Sequence, residues 1–385
     1  MAILLREWFC LNEGRDNFKP HNERDSQLVF CHDDLLHGEI ESSIELRFAA
    51  NEPVKMLILG DWGIGKTHAV NHIRWWLEEH RDDYPAFPVV IELGDIDKSS
   101  RFDAIIRPFL KKLGLEFVIN LVHGYKQKHP ALTQALREAG VQPSVADAFS
   151  KFLLAMPGDT PPPNVKDSFE YLQGNKLTGE GARMGLGQQL TESADFYSVL
   201  LGLGEMHRIV HGNRIIFIAD EAAKLETVDA NDATRAHWVN ANKLILDDNN
   251  TTFGFIYTIS ARREYLPQAL YEPQLSNRLG DRVYELKNLQ PADVGSFLRR
   301  LIEAFVNQDA VNQLVSAGQI DSSEYKWEDY PFTSAGRNQF IDHFNRAQEY
   351  SKPRDISDKL NDVAFAAAKT SKRLIDPDCL RAAKM

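Results

Sequence analysis

The chain has 385 residues, of which 43% are hydrophobic and 26% charged, with a formal net charge of −11. That length accommodates two or three domains and a sizeable core, and the composition is that of a folded globular chain. The acidic balance excludes a protein built throughout to coat nucleic acid or anionic membrane, although one local basic face would suffice for DNA. Cys10, Cys31 and Cys379 are far apart and in no metal-ligand spacing, which argues against a disulfide framework or zinc site and for a reducing compartment. The first residues hold too short an apolar stretch for a signal peptide, and no uncharged run reaches membrane length. A cytoplasmic protein is expected.

In chain order, residues 1–34 read as a polar, irregular arm, with Asn17, Lys19, Pro20, His21 and Asn22 in it. From Asp34 to Ala50, Leu35, Leu36, Ile40, Ile44, Leu46 and Phe48 suggest one helix. The apolar run Met56–Leu59 predicts a buried strand, and His68–Leu77 has helical spacing. Between them stands Gly60-Asp61-Trp62-Gly63-Ile64-Gly65-Lys66-Thr67, a G-x-x-x-x-G-K-T loop in the strand–loop–helix context that gives this pattern its meaning. Its glycines let successive backbone N–H groups turn toward one phosphate chain, and the helix start adds the positive end of its dipole. Lys66 would reach the β- and γ-phosphates and the Thr67 hydroxyl would hold Mg²⁺, so Gly60 to Thr67, with His68 next to them, are the expected ATP-binding residues.

A break at Tyr84–Pro88 precedes a second predicted strand, Val89–Leu93. A largely helical insertion follows over about residues 97–212, with Phe102, Ile105, Ile106, Phe109, Leu110 and Leu113 at helical spacing. Gly179, Gly181, Gly185 and Gly187 read as a mobile link within it. The third strand, Arg214–Ala219, closes on Asp220-Glu221. An apolar strand ending in two carboxylates, about 150 residues after the glycine loop, is the partner such a loop needs: Asp220 for the Mg²⁺ shell and Glu221 to polarise the attacking water. After the fourth strand, Thr252–Ile259, either Thr258 or Ser260 could orient that water, and spacing does not choose. The fifth strand is Val283–Leu286. Pro291 and Asp293 then open a helix in a region, 288–385, that reads as all-α.

These signals together resemble the AAA+ ATPases, in the branch of origin-recognition ATPases and related bacterial proteins. The resemblance implies an α/β P-loop core with a five-stranded parallel sheet over 35–287 and a helical lid over 288–385. Arg278 lies ahead of the fifth strand, where that family often places the finger that reaches a neighbour's γ-phosphate, with Arg262, Arg263 and Arg282 as rivals. Lys352-Pro353-Arg354 opens a late lid helix, and the resemblance implies that Arg354 contacts its own subunit's nucleotide. Gly65-Lys66-Thr67-His68, Tyr171-Leu172-Gln173-Gly174 and Tyr330-Pro331-Phe332-Thr333 are in addition similar to ATP-binding proteins of BREX-type phage-defence islands. Two departures stand out: Trp62 is bulky for a phosphate loop, and no asparagine ends the fourth strand.

What the resemblance implies is an ATPase that forms a homo-oligomer with ATP and Mg²⁺ and regulates or loads a DNA-acting effector protein. DNA itself is a weaker partner expectation, resting on Lys111-Lys112, Lys126–His129 and Arg299-Arg300. The alternative is a nucleotide-dependent scaffold or switch with negligible turnover. A helicase motor is disfavoured because no second ATPase core is present.

Overall fold

The computed structural model describes the chain except residues 1–4, 22, 23, 29, 93–102, 178–185, 187, 188, 222–239, 241, 248, 250, 261–276, 279–281 and 347–350. Five strands form one parallel sheet: β1 (Lys55–Gly60), β2 (Ala86–Glu92), β3 (Arg214–Asp220), β4 (Phe253–Ile259) and β5 (Val283–Leu286), in the order β2-β3-β4-β1-β5. Every residue of β1 and β4, and all of β3 but its first, is buried. Strands covered on both faces read as continuous apolar runs rather than alternations, which is why these three stand out in the sequence. Parallel pairing runs from Lys55↔Phe255 to Leu59↔Ile259 and from Ile215↔Phe253 to Ala219↔Tyr257. The ends of β1 and β3 therefore lie on the same edge of the sheet, with β4 between them.

The break expected before β2 lies inside the strand, where Pro88 pairs with Ile216. A proline lacks the N–H for one ladder bond, and β2 is an edge strand, where that loss is tolerated. The single helix expected over Asp34–Ala50 is two elements: a π-helix, Asp34–Glu41, followed by an α-helix, Ser42–Ala49. Leu36, Ile40 and Ile44 are its buried residues, and Leu46 faces solvent.

Contacts divide the chain into two compact units. One comprises Leu35–Gly60 and Ala69–Glu285. Its core joins the sheet to the insertion, whose helices include Asp103–Leu113, Leu115–Lys128, Pro143–Lys151, Pro163–Leu172 and Ser193–His211. Phe109 meets Phe217 edge-on at 4.9 Å between ring centroids. The insertion is thus part of the sheet's own packing.

The other unit comprises Met1–Asp34, Asp61–His68 and Leu286–Met385. Its helices are Leu5–Trp8, Pro291–Phe305, Gln308–Ser316, Ser334–Arg346, Pro353–Lys369 and Pro377–Ala382. Gln290 and Asp293 form a capping box around Pro291, as the sequence pattern suggested. Residues of the stretch 1–34, expected as an irregular arm, contribute to this core. Leu5, Phe9, Phe18 and Phe30 are buried in one cluster with Phe297, Phe305 and Ile356. Asn12 N–H donates to the Phe305 carbonyl at 2.7 Å, and Asn307 N–H to that of Cys10 at 2.8 Å. The aromatic anchors are spaced too widely to show a period, so the stretch looked irregular while burying several large rings. No described helix is long and apolar enough to cross a membrane.

Candidate functional site

Gly60 is the last residue of β1, and Lys66 is the first of the helix Lys66–Glu79. Between them Gly63 has φ +80° and Gly65 φ +111°, conformations that L side chains avoid. A Cβ on Gly65 would meet nothing within 4 Å, so its requirement is the backbone angle itself. Gly63 adds a steric reason, because its Cβ would come within 3.2 Å of Arg354 Cβ. Ile64 is wholly buried and anchors the loop. Lys66 is buried too, and its Nζ donates to the Asp61 carbonyl at 2.9 Å. Thr67, in the first helical turn, is partly exposed.

The same unit braces this loop from two distant parts of the chain. Lys352 Nζ pairs with the Asp61 carboxylate at 2.8 Å, and the Arg354 N–H donates to the Gly63 carbonyl at 3.3 Å. The Arg354 guanidinium lies 4.0 Å from the centroid of the Trp62 ring, a cation–π contact, while Trp62 remains 60% exposed. From the N-terminal side, His32 Nε2 donates to the Ile64 carbonyl at 3.2 Å, and His68 Nε2 to that of Leu28 at 2.6 Å. Burial lowers the His32 pKa from its ordinary value, against the opposing pull of the Ile64 carbonyl and of Asp293 and Asp33.

In the other unit β3 ends in the second arrangement. Asp220 is 2% exposed, and the wholly buried Thr258 on β4 donates its hydroxyl to Asp220 Oδ1. Glu221 takes a left-handed backbone with φ +60°, which is uncommon for a side chain of this size. Its N–H is held twice, by Thr258 Oγ1 at 2.8 Å and by Asp220 Oδ1 at 3.0 Å. Such a conformation costs on the order of 1–2 kcal/mol and persists where surrounding bonds over-determine it. The strand stops just before Glu221.

Of the two hydroxyls that spacing could not separate, Thr258 touches the acidic pair, and Ser260 is exposed one residue past β4. Arg278 bonds through Nε to Asp247 in its own unit. Arg282 immediately precedes β5. Arg262 and Arg263, and the glycines 179, 181, 185 and 187, lie outside the described residues. Sequence reading missed Leu28, His32 and Lys352 as neighbours of the loop. Lys352 carried a signal, since it directly precedes the helix-opening Pro353-Arg354. A backbone carbonyl such as that of Leu28 carries none.

A parallel sheet in this order, with a glycine loop leaving β1 into a helix and two carboxylates closing β3, has the AAA+ type of fold. Among solved structures the chain is similar to Cdc6p from Pyrobaculum aerophilum, at 14% identity and a TM-score of 0.50, covering 97% of this chain and 71% of that one. It is also similar to the Aeropyrum pernix ORC2 protein solved as ADPNP-ADP complexes, at 12% identity and a TM-score of 0.49, covering 94% and 71%. A third likeness is to the Aeropyrum pernix ORC1 protein in complex with DNA, at 13% identity and a TM-score of 0.45, covering 94% and 68%. The first of these carries the fold assignment. No family model and no curated protein matches the chain.

Proposed function

We propose that this protein is an ATPase that binds ATP with Mg²⁺, assembles with further copies of itself, and through that assembly regulates or loads a DNA-acting effector. One observation carries the reading: the Gly60–Thr67 loop has left-handed backbone at both Gly63 and Gly65 and enters a helix directly from a buried parallel strand. That shape aims consecutive N–H groups at one anion. Lys66 is the cation for the β- and γ-phosphates, and Asp61, Trp62, Ile64 and His68 complete the loop and its exit. Arg354, already packed on Gly63 and Trp62, is the lid cation for the same nucleotide.

Thr67 and Asp220 supply a hydroxyl and a carboxylate, hard oxygen donors of the kind Mg²⁺ takes alongside water and phosphate. When bound, Mg²⁺ neutralises charge on the β- and γ-phosphates. Glu221 is the group that accepts a proton from the attacking water, and Thr258 positions Asp220 and the Glu221 backbone. The proposal includes division into a core, 35–287, and a lid, 288–385. The shared packing of residues 1–34 and 286–385 supports adding the first segment to the lid. The similarity to phage-defence ATP-binding proteins gives the effector its most specific context. Lys66→Ala tests the reading. ATP affinity should fall at least about 100-fold in equilibrium binding, because the phosphates lose their principal cation. Unchanged affinity would remove the loop from nucleotide binding.

The ion pair between Arg278 and Asp247 favours a second reading, a switch that binds nucleotide with negligible turnover. A finger acting on a neighbouring copy contributes about 10³–10⁵ in rate, whereas an exposed ion pair contributes almost nothing. Arg278→Ala should therefore abolish turnover with binding intact, and mixing it with Glu221→Gln should restore part of it. Parent-level turnover in Arg278→Ala alone would exclude Arg278 as the finger. No measurable turnover in the parent at any protein concentration would establish the switch.

A further inference from the structure

Among the described residues, one group of three side chains has the composition and convergence of a metal site, and the proposed ATPase chemistry uses none of them. His37, Glu41 and His72 each offer one ligand atom, and all three atoms lie within 4.8 Å of one another. His37 Nδ1 is 2.9 Å from Glu41 Oε1, and His72 Nε2 is 2.7 Å from the same oxygen. We propose that these residues bind a divalent transition metal of the Zn²⁺ class, through His37 Nδ1, His72 Nε2 and the Glu41 carboxylate.

The donor set selects the ion. Two imidazoles with one carboxylate suit Zn²⁺ and its first-row neighbours, whereas Mg²⁺ and Ca²⁺ take oxygen ligands. The site is therefore chemically distinct from any Mg²⁺ that accompanies nucleotide. With metal–ligand bonds of about 2.0–2.1 Å, tetrahedral geometry puts donor atoms about 3.4 Å apart. The two short separations need to open by about 0.5–0.7 Å, and the imidazole nitrogens, which lie within 4.8 Å of each other, to settle at the same spacing, adjustments within the reach of side-chain rotation. One carboxylate oxygen accepting from two imidazoles is the arrangement left when two protons stand in for one cation.

The supporting structure differs for each ligand. His72 is wholly buried on the helix Lys66–Glu79, with Trp75 tilted against it at 5.6 Å between centroids. Glu41 is 12% exposed and His37 52%, so one side opens to solvent for entry and for a water as fourth ligand. The imidazoles of His37 and His72 meet edge-on, at 86° and 5.2 Å between centroids. An independent pointer is the π-helix Asp34–Glu41, which carries His37 and Glu41. Stretches of this rare helix recur at functional sites. A bound ion would fasten it to the helix that begins at Lys66.

The test uses the full chain without affinity-tag histidines, stripped by a chelator, dialysed, and titrated with Zn²⁺ and separately Co²⁺ in excess Mg²⁺ without nucleotide. One equivalent of each should bind, and the Co²⁺ complex should lack a thiolate charge-transfer band. His37→Ala, at a half-exposed position, and the shape-preserving Glu41→Gln should each weaken binding at least about tenfold. Zn²⁺ should raise Tm in the parent and not in these variants. Absence of stoichiometric uptake, equal affinity in the variants, or a thiolate band would overturn the assignment.

Discussion

The phosphate loop and the acidic end of β3 serve one proposed reaction, yet they are constructed by opposite means. The loop takes its shape from backbone: positive φ at Gly63 and Gly65, then a helix start. Its neighbours His32, Lys352 and Arg354 come from both ends of the sequence and hold it through two of its carbonyls and one carboxylate, while the Leu28 carbonyl accepts from His68 just past the loop. The acidic corner takes its shape from side chains. Thr258 and Asp220 are closed to solvent, and their hydroxyl and carboxylate fix the strained backbone of Glu221. Where backbone makes a site, side chains can be changed with little effect on folding. Where buried side chains make it, folding and function rest on the same bonds.

The largest expected effect in this contrast belongs to Glu221→Gln. The change keeps shape and removes the proton acceptor, so turnover should fall by about 10²–10⁴ with ATP affinity nearly unchanged. The left-handed backbone and its two hydrogen bonds remain, and Tm should stay close to the parent's. Parent-level single-turnover kinetics would take Glu221 out of the mechanism. Thr258→Val, at the same corner, should behave differently although it is nearly isosteric. It deprives Asp220 of a buried donor and the Glu221 N–H of one of two acceptors, costing about 1–3 kcal/mol of stability. Turnover should fall together with denaturant midpoint. A variant that lost neither would mean that the hydroxyl is incidental to the corner.

The same contrast explains what could be read from sequence. The loop was legible in eight consecutive residues, because a backbone-built site writes its glycines where they are needed. Asp220 and Glu221 were legible as the end of an apolar strand. Their link to Thr258 was not, since it depends on β3 and β4 being neighbours in register. Spacing left Thr258 and Ser260 equivalent, and what separates them is the end of β4 at Ile259, with a buried hydroxyl inside the strand and an exposed one just past it. The five strands and the late helices followed from apolar runs and caps. The packing of Phe9, Phe18 and Phe30 did not, because isolated aromatics in a polar stretch have no period to detect. The His37–Glu41–His72 group was hidden for a similar reason: a π-helix and an α-helix bring together residues separated by more than thirty positions.

The smallest expected effect concerns acid and separates the two regions most finely. His32 donates to the Ile64 carbonyl of the phosphate loop, and burial depresses its pKa below its ordinary 6.5. Below that value the unfolded chain takes up a proton that folded His32 resists, so protonation favours unfolding. The stabilisation is complete above about pH 6.5 and is lost as pH falls toward and through the depressed folded value. Whole-chain stability will not isolate this, because His207, stacked on Phe87 at 4.9 Å, is depressed by burial to about 4. Its own loss, up to about 3 kcal/mol at about 1.4 kcal/mol per pH unit, spreads between about pH 6.5 and about pH 4. His32→Asn makes the separation. Asparagine tolerates the positive φ of 62° at this position and does not titrate. The variant should show a shallower fall in Tm across the upper part of that window, with the His207 part intact. ATP affinity should likewise become less sensitive to acid in the variant than in the parent. Identical slopes in parent and variant would mean that His32 is not held neutral against the loop.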